Sequence, residues 1–413
     1  MGLLCGLLFS PPLSAESGLV AAAETCRVCH RVAIRGIHRG LACSACHGVA
    51  GQVPSPAAAG QGGCTVCHVA EGGVLHGAMA TRSAEREFVA ATYGRRDPQF
   101  FGKNCASCHV ASCGDCHGPG HNLALPDTGT CARCHRGYFV GSDYLGLAPR
   151  ENNLRYQRGM ERDGEYYLKM LPDAHFEAGL DCGDCHSMAS LAAGAVAAAT
   201  CTDCHSPSSE PVEHRIAAHL EKLECYACHS AWTAQAYGTF YLRFEDSPGR
   251  RFFELKEGPS TEYLEGVYLR KHDAPPLGLN ARGRVSPIRP QFIAYTSHMR
   301  QDQPVGEENE LLGATWKALF PHTVRRGTGL CDSCHGNGRR FLLEEESQRI
   351  YDLAEDGMGL VSFWTQEGQR VANGSFFPAP RFERMSAKQG TYRKAYVEKW
   401  QRFLTRVGAS SAE

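Results

Sequence analysis

The chain has 413 residues, 43 basic and 44 acidic side chains and a formal net charge of −1. That balance offers no basic excess of the kind nucleic-acid binding requires, and no apolar stretch approaches the 18 residues of a membrane span; the Ala-rich run from Leu191 to Ala199 is too short. What departs from an ordinary composition is the set of 21 cysteines, so the first question is what they are for.

In chain order, residues 1–17 read as an export signal. Leu3 to Phe9 is a short apolar run, followed by the small-residue segment from Ser10 to Glu16. The basic start of such a signal is missing, and removal is expected near Ala15. Cys5 is a candidate lipid-attachment residue, although the bulky Leu4 stands where a small residue is usual.

Residues 18–140 carry six copies of one pattern: Cys26-x-x-Cys29-His30, Cys43-x-x-Cys46-His47, Cys64-x-x-Cys67-His68, Cys105-x-x-Cys108-His109, Cys113-x-x-Cys116-His117 and Cys131-x-x-Cys134-His135. Residues 141–230 carry three more: Cys182-x-x-Cys185-His186, Cys201-x-x-Cys204-His205 and Cys225-x-x-Cys228-His229. The tenth, Cys331-x-x-Cys334-His335, opens the segment 331–413. These are motifs 1 to 10; they take every cysteine except Cys5. Residues i, i+3 and i+4 share a helix face, so two thiols can reach the vinyl groups of one porphyrin edge while the histidine turns onto its iron. Zinc sites or disulfides would account for the cysteines but not for a histidine after each second one. The expected cofactor is therefore haem c, ten groups covalently attached, each with its iron.

Motif density sets the expected fold. With nine motifs between Cys26 and His229, little side chain remains for a core. The expectation is a mainly α and irregular multihaem cytochrome c fold with haems as its core, plus a small strand-containing insertion between motifs 9 and 10. Motifs 4 and 5 are three residues apart, which suggests a stacked or edge-sharing pair. Residues 231–330 are the haem-free insertion. Phe240 to Phe244, Arg251 to Leu255 and Tyr263 to Leu269 read as strands, separated by turn signals at Ser247 to Gly249 and at Gly258 and Pro259. In the tail, Tyr396, Val397, Trp400, Phe403, Leu404 and Val407 recur at helical spacing, which predicts an amphipathic helix packed on the body.

Ten of the 19 histidines belong to motifs. The other nine, His38, His76, His121, His175, His214, His219, His272, His298 and His322, are candidate sixth ligands and are expected to serve neighbouring haems. His38, His175, His219 and His322 each shortly precede a motif and are expected to ligate a different one; His214 and His219, five apart, are expected to serve different haems. Nine cannot complete ten. Met79, Met299 and Lys271 are candidate replacements, and an open position would instead admit substrate to iron. Arg250, Arg251, Arg325, Arg326, Arg339 and Arg340 are candidates to pair with haem propionates or to form a basic mouth for an anion.

The motifs, spanning residues 26 to 335, resemble those of the multihaem c-type cytochromes of anaerobic, metal- and oxyanion-respiring bacteria. The stretch Leu223 to Trp232 and the insertion are similar to octahaem tetrathionate reductase-like cytochromes, and the tail from Cys331 to cytochromes of selenite and tellurite reduction clusters. The resemblance implies electron transfer in the periplasm or at the cell surface by mostly bis-histidine haems. Implied partners are quinol-linked or periplasmic cytochromes and an outer-membrane porin complex. Three functions stay open: a decahaem conduit; a terminal oxyanion reductase with one open haem and acid–base groups at Lys271, His272 and Asp273; and a subunit of a cytochrome filament.

Overall fold

The computed structural model describes His38 and residues 64–65, 67–106, 109–118, 122–135, 141, 143–144, 158–162, 165–169, 172–194, 198–231, 233–253, 256–257, 260–272, 275–327, 331–348 and 360–410. The chain forms two compact units, one of residues 1–82, 109–131 and 185–198, the other of 83–108, 132–184 and 199–413. No helix among the described residues is long and apolar enough to cross a membrane.

In the first unit the described elements are short. A 3-10 helix, Glu71–His76, runs into a helical turn, Ala78–Thr81. Met188–Ala193 packs beside Gly73, where a β-carbon would lie 3.0 Å from the Ala192 carbonyl oxygen. Ser187 caps that helix by accepting from the Ser190 N–H at 3.2 Å. Gly114–His117 ends at Gly118, whose φ of +96° suits glycine.

The second unit is built on strands. Three of them, β1 (Asp143–Tyr144), β2 (Arg158–Arg162) and β3 (Glu165–Lys169), form a small sheet in the order β1-β3-β2. The main sheet has eight strands: β4 (Thr233–Glu245), β5 (Lys256–Glu257), β6 (Tyr263–His272), β7 (Leu277–Asn280), β8 (Val285–Arg300), β9 (Gln303–Pro304), β10 (Glu310–Ala318) and β11 (Gly374–Phe376). Its order is β11-β7-β8-β4-β6-β5, with β9 and β10 also pairing with β8. It is mixed: β4 and β8 run parallel from Thr239↔Ala294 to Glu245↔Arg300, whereas β4 and β6 are antiparallel.

Alternation along β8 sends its side chains to two cores. Ile293 and Tyr295 join Ile288, Trp316, Phe363 and Trp364 on one side. Ala294 joins Val89, Tyr93, Phe100, Tyr241 and Tyr263 on the other. Trp316, Tyr295 and Phe363 are wholly buried. Phe240 stacks on Tyr295 at 4.7 Å, and Trp316 meets Trp364 edge-on at 5.1 Å. Pro290 can give no N–H to the ladder, and the β8–β10 register shifts beside it, between Thr315 and Trp316. The Trp316 carbonyl accepts the Ala372 N–H instead, at 2.7 Å, and the Trp316 N–H donates to the Arg370 carbonyl at 2.9 Å. Buried Asp97 ties the second core to β6: it accepts from the Tyr263 hydroxyl at 2.8 Å, the Lys103 ammonium at 2.9 Å and the Gln99 N–H at 3.0 Å.

This corrects the expected fold. An eight-stranded mixed sheet with its own aromatic core overturns a mainly α and irregular fold that relies on haems for its interior. The strand-bearing segment is the largest ordered element of the second unit, not a small insertion. Arg251 to Leu255, read as a strand, begins inside the 3-10 helix Pro248–Phe252; Leu255 lies outside the described residues.

The tail forms two helices, Ala379–Ser386 and Gly390–Ser410. The second is held by its polar side: Glu398 pairs with Arg215, Lys399 with Glu213 at 2.5 Å, and Arg402 donates to the Glu210 carbonyl at 2.6 Å. Phe403 and Leu404 remain 54% and 63% exposed, so the apolar stripe is not the face that packs on the described body.

Candidate functional site: facing histidine pairs

Motifs 5, 7, 8 and 9 sit on short helical turns, the motif 5 turn being Gly114–His117. Motif 9 is the helix Cys225–His229, motif 8 the turn Cys201–Cys204 and motif 7 the turn Cys182–Cys185. Asp residues hold several of these turns open at their N-termini, where free N–H groups attract a carboxylate. Asp203 reaches back to the Thr200 N–H at 2.6 Å, and Asp127 accepts from the Thr130 N–H at 2.7 Å ahead of motif 6.

Tertiary structure then sets a second imidazole opposite the motif histidine at four motifs. His38 faces His68 of motif 3, with ring centres 6.0 Å apart; His175 faces His205 of motif 8 at 5.9 Å. His214 faces His229 of motif 9 at 6.1 Å, and His219 faces His335 of motif 10 at 6.3 Å. Two metal–nitrogen bonds of about 2 Å, plus roughly 1 Å from each nitrogen to its ring centre, place two imidazoles on one ion about 6 Å apart.

Hydrogen bonding on the far side of the rings separates this arrangement from casual ring packing. His214 Nδ1 lies 2.8 Å from the Ser208 carbonyl oxygen and His229 Nδ1 lies 3.2 Å from that of Arg325. His335 Nδ1 lies 3.1 Å from the Met385 carbonyl oxygen. His175 Nδ1 lies 3.0 Å from Asp173, a buried carboxylate that also accepts the N–H groups of His175 and Val324. Each such bond fixes the proton on Nδ1 and leaves Nε2 as the donor atom for a metal. Burial, and then the neighbouring His335, lower the pKa of His219 and favour the neutral, ligating form. In motif 5, His117 Nδ1 is tied in the same way to the Ala124 carbonyl, at 2.9 Å.

The motifs are neighbours through their thiols. Cys64 of motif 3 and Cys113 of motif 5 are hydrogen-bonded in the first unit. In the second, Cys201 of motif 8 and Cys225 of motif 9 are hydrogen-bonded, which draws Cys225 down to about 6 and pushes Cys201 upward. Burial pushes Cys228 up to about 12, and its first electrostatic neighbour is Cys334 of motif 10.

The expectation of ten covalently attached haem c groups is corrected by this arrangement. Among the described residues there is no group of three or more His, Cys, Asp or Glu side chains that could by itself hold a metal ion. What the chain assembles is pairs of imidazoles, and these support no count of ten. An iron macrocycle, which brings four nitrogen ligands of its own, would need two more donors from the protein, and the histidine pairs at motifs 3, 8, 9 and 10 could supply them.

Other sequence candidates fare differently. His298 Nε2 lies 3.1 Å from Glu245, which also binds Arg300, so this histidine sits in a charged cluster rather than opposite a motif. His76 is exposed at the end of its 3-10 helix, and His322 packs edge-on against Phe320 at 4.5 Å. Lys271 and His272 end β6, their side chains outside the described residues; Asp273, His121, Cys108 and motifs 1 and 2 also lie outside. Asp173 was not among the sequence candidates, although an acidic residue two places before His175 was the available signal. No family model matches the chain, and no curated protein and no solved structure matches it either.

Proposed function

We propose that this chain is an electron-transfer protein of the multihaem c-type cytochrome kind, acting outside the cytoplasm between partner redox proteins. The observation that carries the reading is the set of facing imidazoles, each pair joining a motif histidine to another histidine, with Nδ1 of His175, His214, His229 and His335 anchored by carbonyl or carboxylate oxygens. An iron porphyrin held there supplies a one-electron couple that changes neither ligand nor bond order.

The protein's part is to hold the axial donors neutral, oriented and still. His214 and His229 are both locked by backbone carbonyls, so neither ring can turn its protonated nitrogen inward. Asp173 does the same for His175 and, being negative, increases the basicity of that imidazole, which favours the ferric state. Rigid ligation by two strong donors suits electron transfer, because little has to move when the charge changes. The hydrogen-bonded thiols of motifs 8 and 9, and the electrostatic proximity of Cys228 in motif 9 to Cys334 in motif 10, support electron passage along these three motifs.

Purified protein should show reversible, stepwise optical reduction with the bands of low-spin, bis-imidazole iron. A preparation with no reversible redox transition would overturn the reading.

A further inference from the structure

Arg340 lies in the 3-10 helix Gly338–Phe341, just after motif 10, and is only 8% exposed. Its Nη2 donates to the carbonyl of Ala227, between the two cysteines of motif 9, at 3.2 Å. Its Nε is buried without a hydrogen-bond partner, and no carboxylate among the described residues pairs with it. Burial lowers its pKa, and its electrostatic neighbours are the thiols of Cys334 and Cys228, one from each motif and neither an anion when protonated. Cys334 packs against the same apolar cluster as Ala227 and Phe341. A guanidinium so enclosed stays charged, and a buried cation without an anion is costly enough that proteins seldom keep one. Lysine could not offer the planar fork that Arg340 presents.

We propose that Arg340 is a carboxylate-binding residue shared by motifs 9 and 10, where it compensates anionic charge and raises the reduction potential of both sites. The proposal rests on the electron-transfer reading for its effect on potential, but not for anion binding itself. The carboxylate can be a side arm of the redox group held by these motifs or a small anion from solution. In both cases Nε and one edge of the fork face it, while Nη2 stays on Ala227.

The test compares the full-length protein with Arg340→Met and Arg340→Lys, using melting temperature and a potentiometric titration with and without added acetate. If the carboxylate belongs to the redox group, Arg340→Met lowers the melting temperature and moves two of the midpoint potentials downward, Arg340→Lys recovers part of both, and acetate changes nothing. If the anion comes from solution, acetate raises the wild-type melting temperature and Arg340→Met abolishes that dependence. This second result holds in a chain without redox transitions, where the electron-transfer reading fails and the anion site stands. The proposal is overturned if Arg340→Met leaves the melting temperature unchanged or raises it. It is equally overturned if the variant loses stability with neither a shift in potential nor a dependence on acetate, because Arg340 then only holds Ala227 in place.

Discussion

The second unit contains two regions that fold on different terms. The sheet of β4 to β10 contains no cysteine and buries Trp316, Tyr295 and Ile288 completely. The motif-bearing segments of the same unit, 174–184, 199–231 and 331–341, have helices of six residues or fewer, and Cys204 and Cys225 are exposed. Helices that short do not persist in water unaided. The sheet supplies its own interior; the motif segments hold their shape through histidine anchors and aspartate caps. The sheet core and the motif geometry therefore rest on separate residues, so each can be broken while the other survives.

The largest effect is expected in the sheet. Trp316→Ala removes a wholly buried indole and should cost about 4 kcal/mol in denaturant unfolding, with the optical spectrum of the folded fraction unchanged. Next comes Asp97. Burial alone would raise its pKa, but the Lys103 ammonium, the Tyr263 hydroxyl and the Gln99 N–H outweigh that and hold it below the usual carboxylate range. Its contribution is therefore present above the unfolded-state value of about 3.9 and is lost as pH falls through the lower folded value. Asp97→Asn should cost about 2 kcal/mol at neutral pH, with the difference from wild type shrinking in acid unfolding curves. Equal loss at every pH would contradict this assignment.

On the motif side the effects should be smaller in stability and larger in spectroscopy. Asp173→Asn loosens the His175 ring and takes an acceptor from the Val324 N–H; it should weaken metal holding at motif 8 by about tenfold, seen as carbon monoxide binding at one site, and lower the unfolding free energy by about 1 kcal/mol. The mildest probe is chemical. In apoprotein, Cys225 should alkylate as pH rises through about 6, while Cys228 stays protonated until about 12, as peptide mass mapping would show. Equal rates at the two thiols would remove the inferred contact between Cys201 and Cys225.

The local backbone of motifs 7, 8 and 9 is legible because CxxCH spacing is that of one helical turn. Phe240 to Phe244 and Tyr263 to Leu269 read as strands from their aromatic and apolar alternation and lie in β4 and β6. The centre of the sheet was not legible. Pro287 and Pro290 argue against a central strand, and the parallel β4–β8 pairing joins segments some fifty residues apart, which no local pattern announces. The choice of histidine partners was hidden for the same reason. Spacing sends His214 and His219 to different sites, but only the fold pairs them with His229 and His335. Motif density between Cys26 and His229 implies little side-chain core, but it carries no information about the cysteine-free stretch between Cys228 and Cys331, where the aromatic core is built.

The most direct test of the facing pairs is low-temperature EPR of the wild type beside His214→Ala and His219→Ala. The account predicts low-spin iron at these sites in the wild type, with each variant converting a different single site to a high-spin, carbon monoxide-binding form. A wild type with only high-spin iron or none, or two variants with the wild-type spectrum, would contradict it.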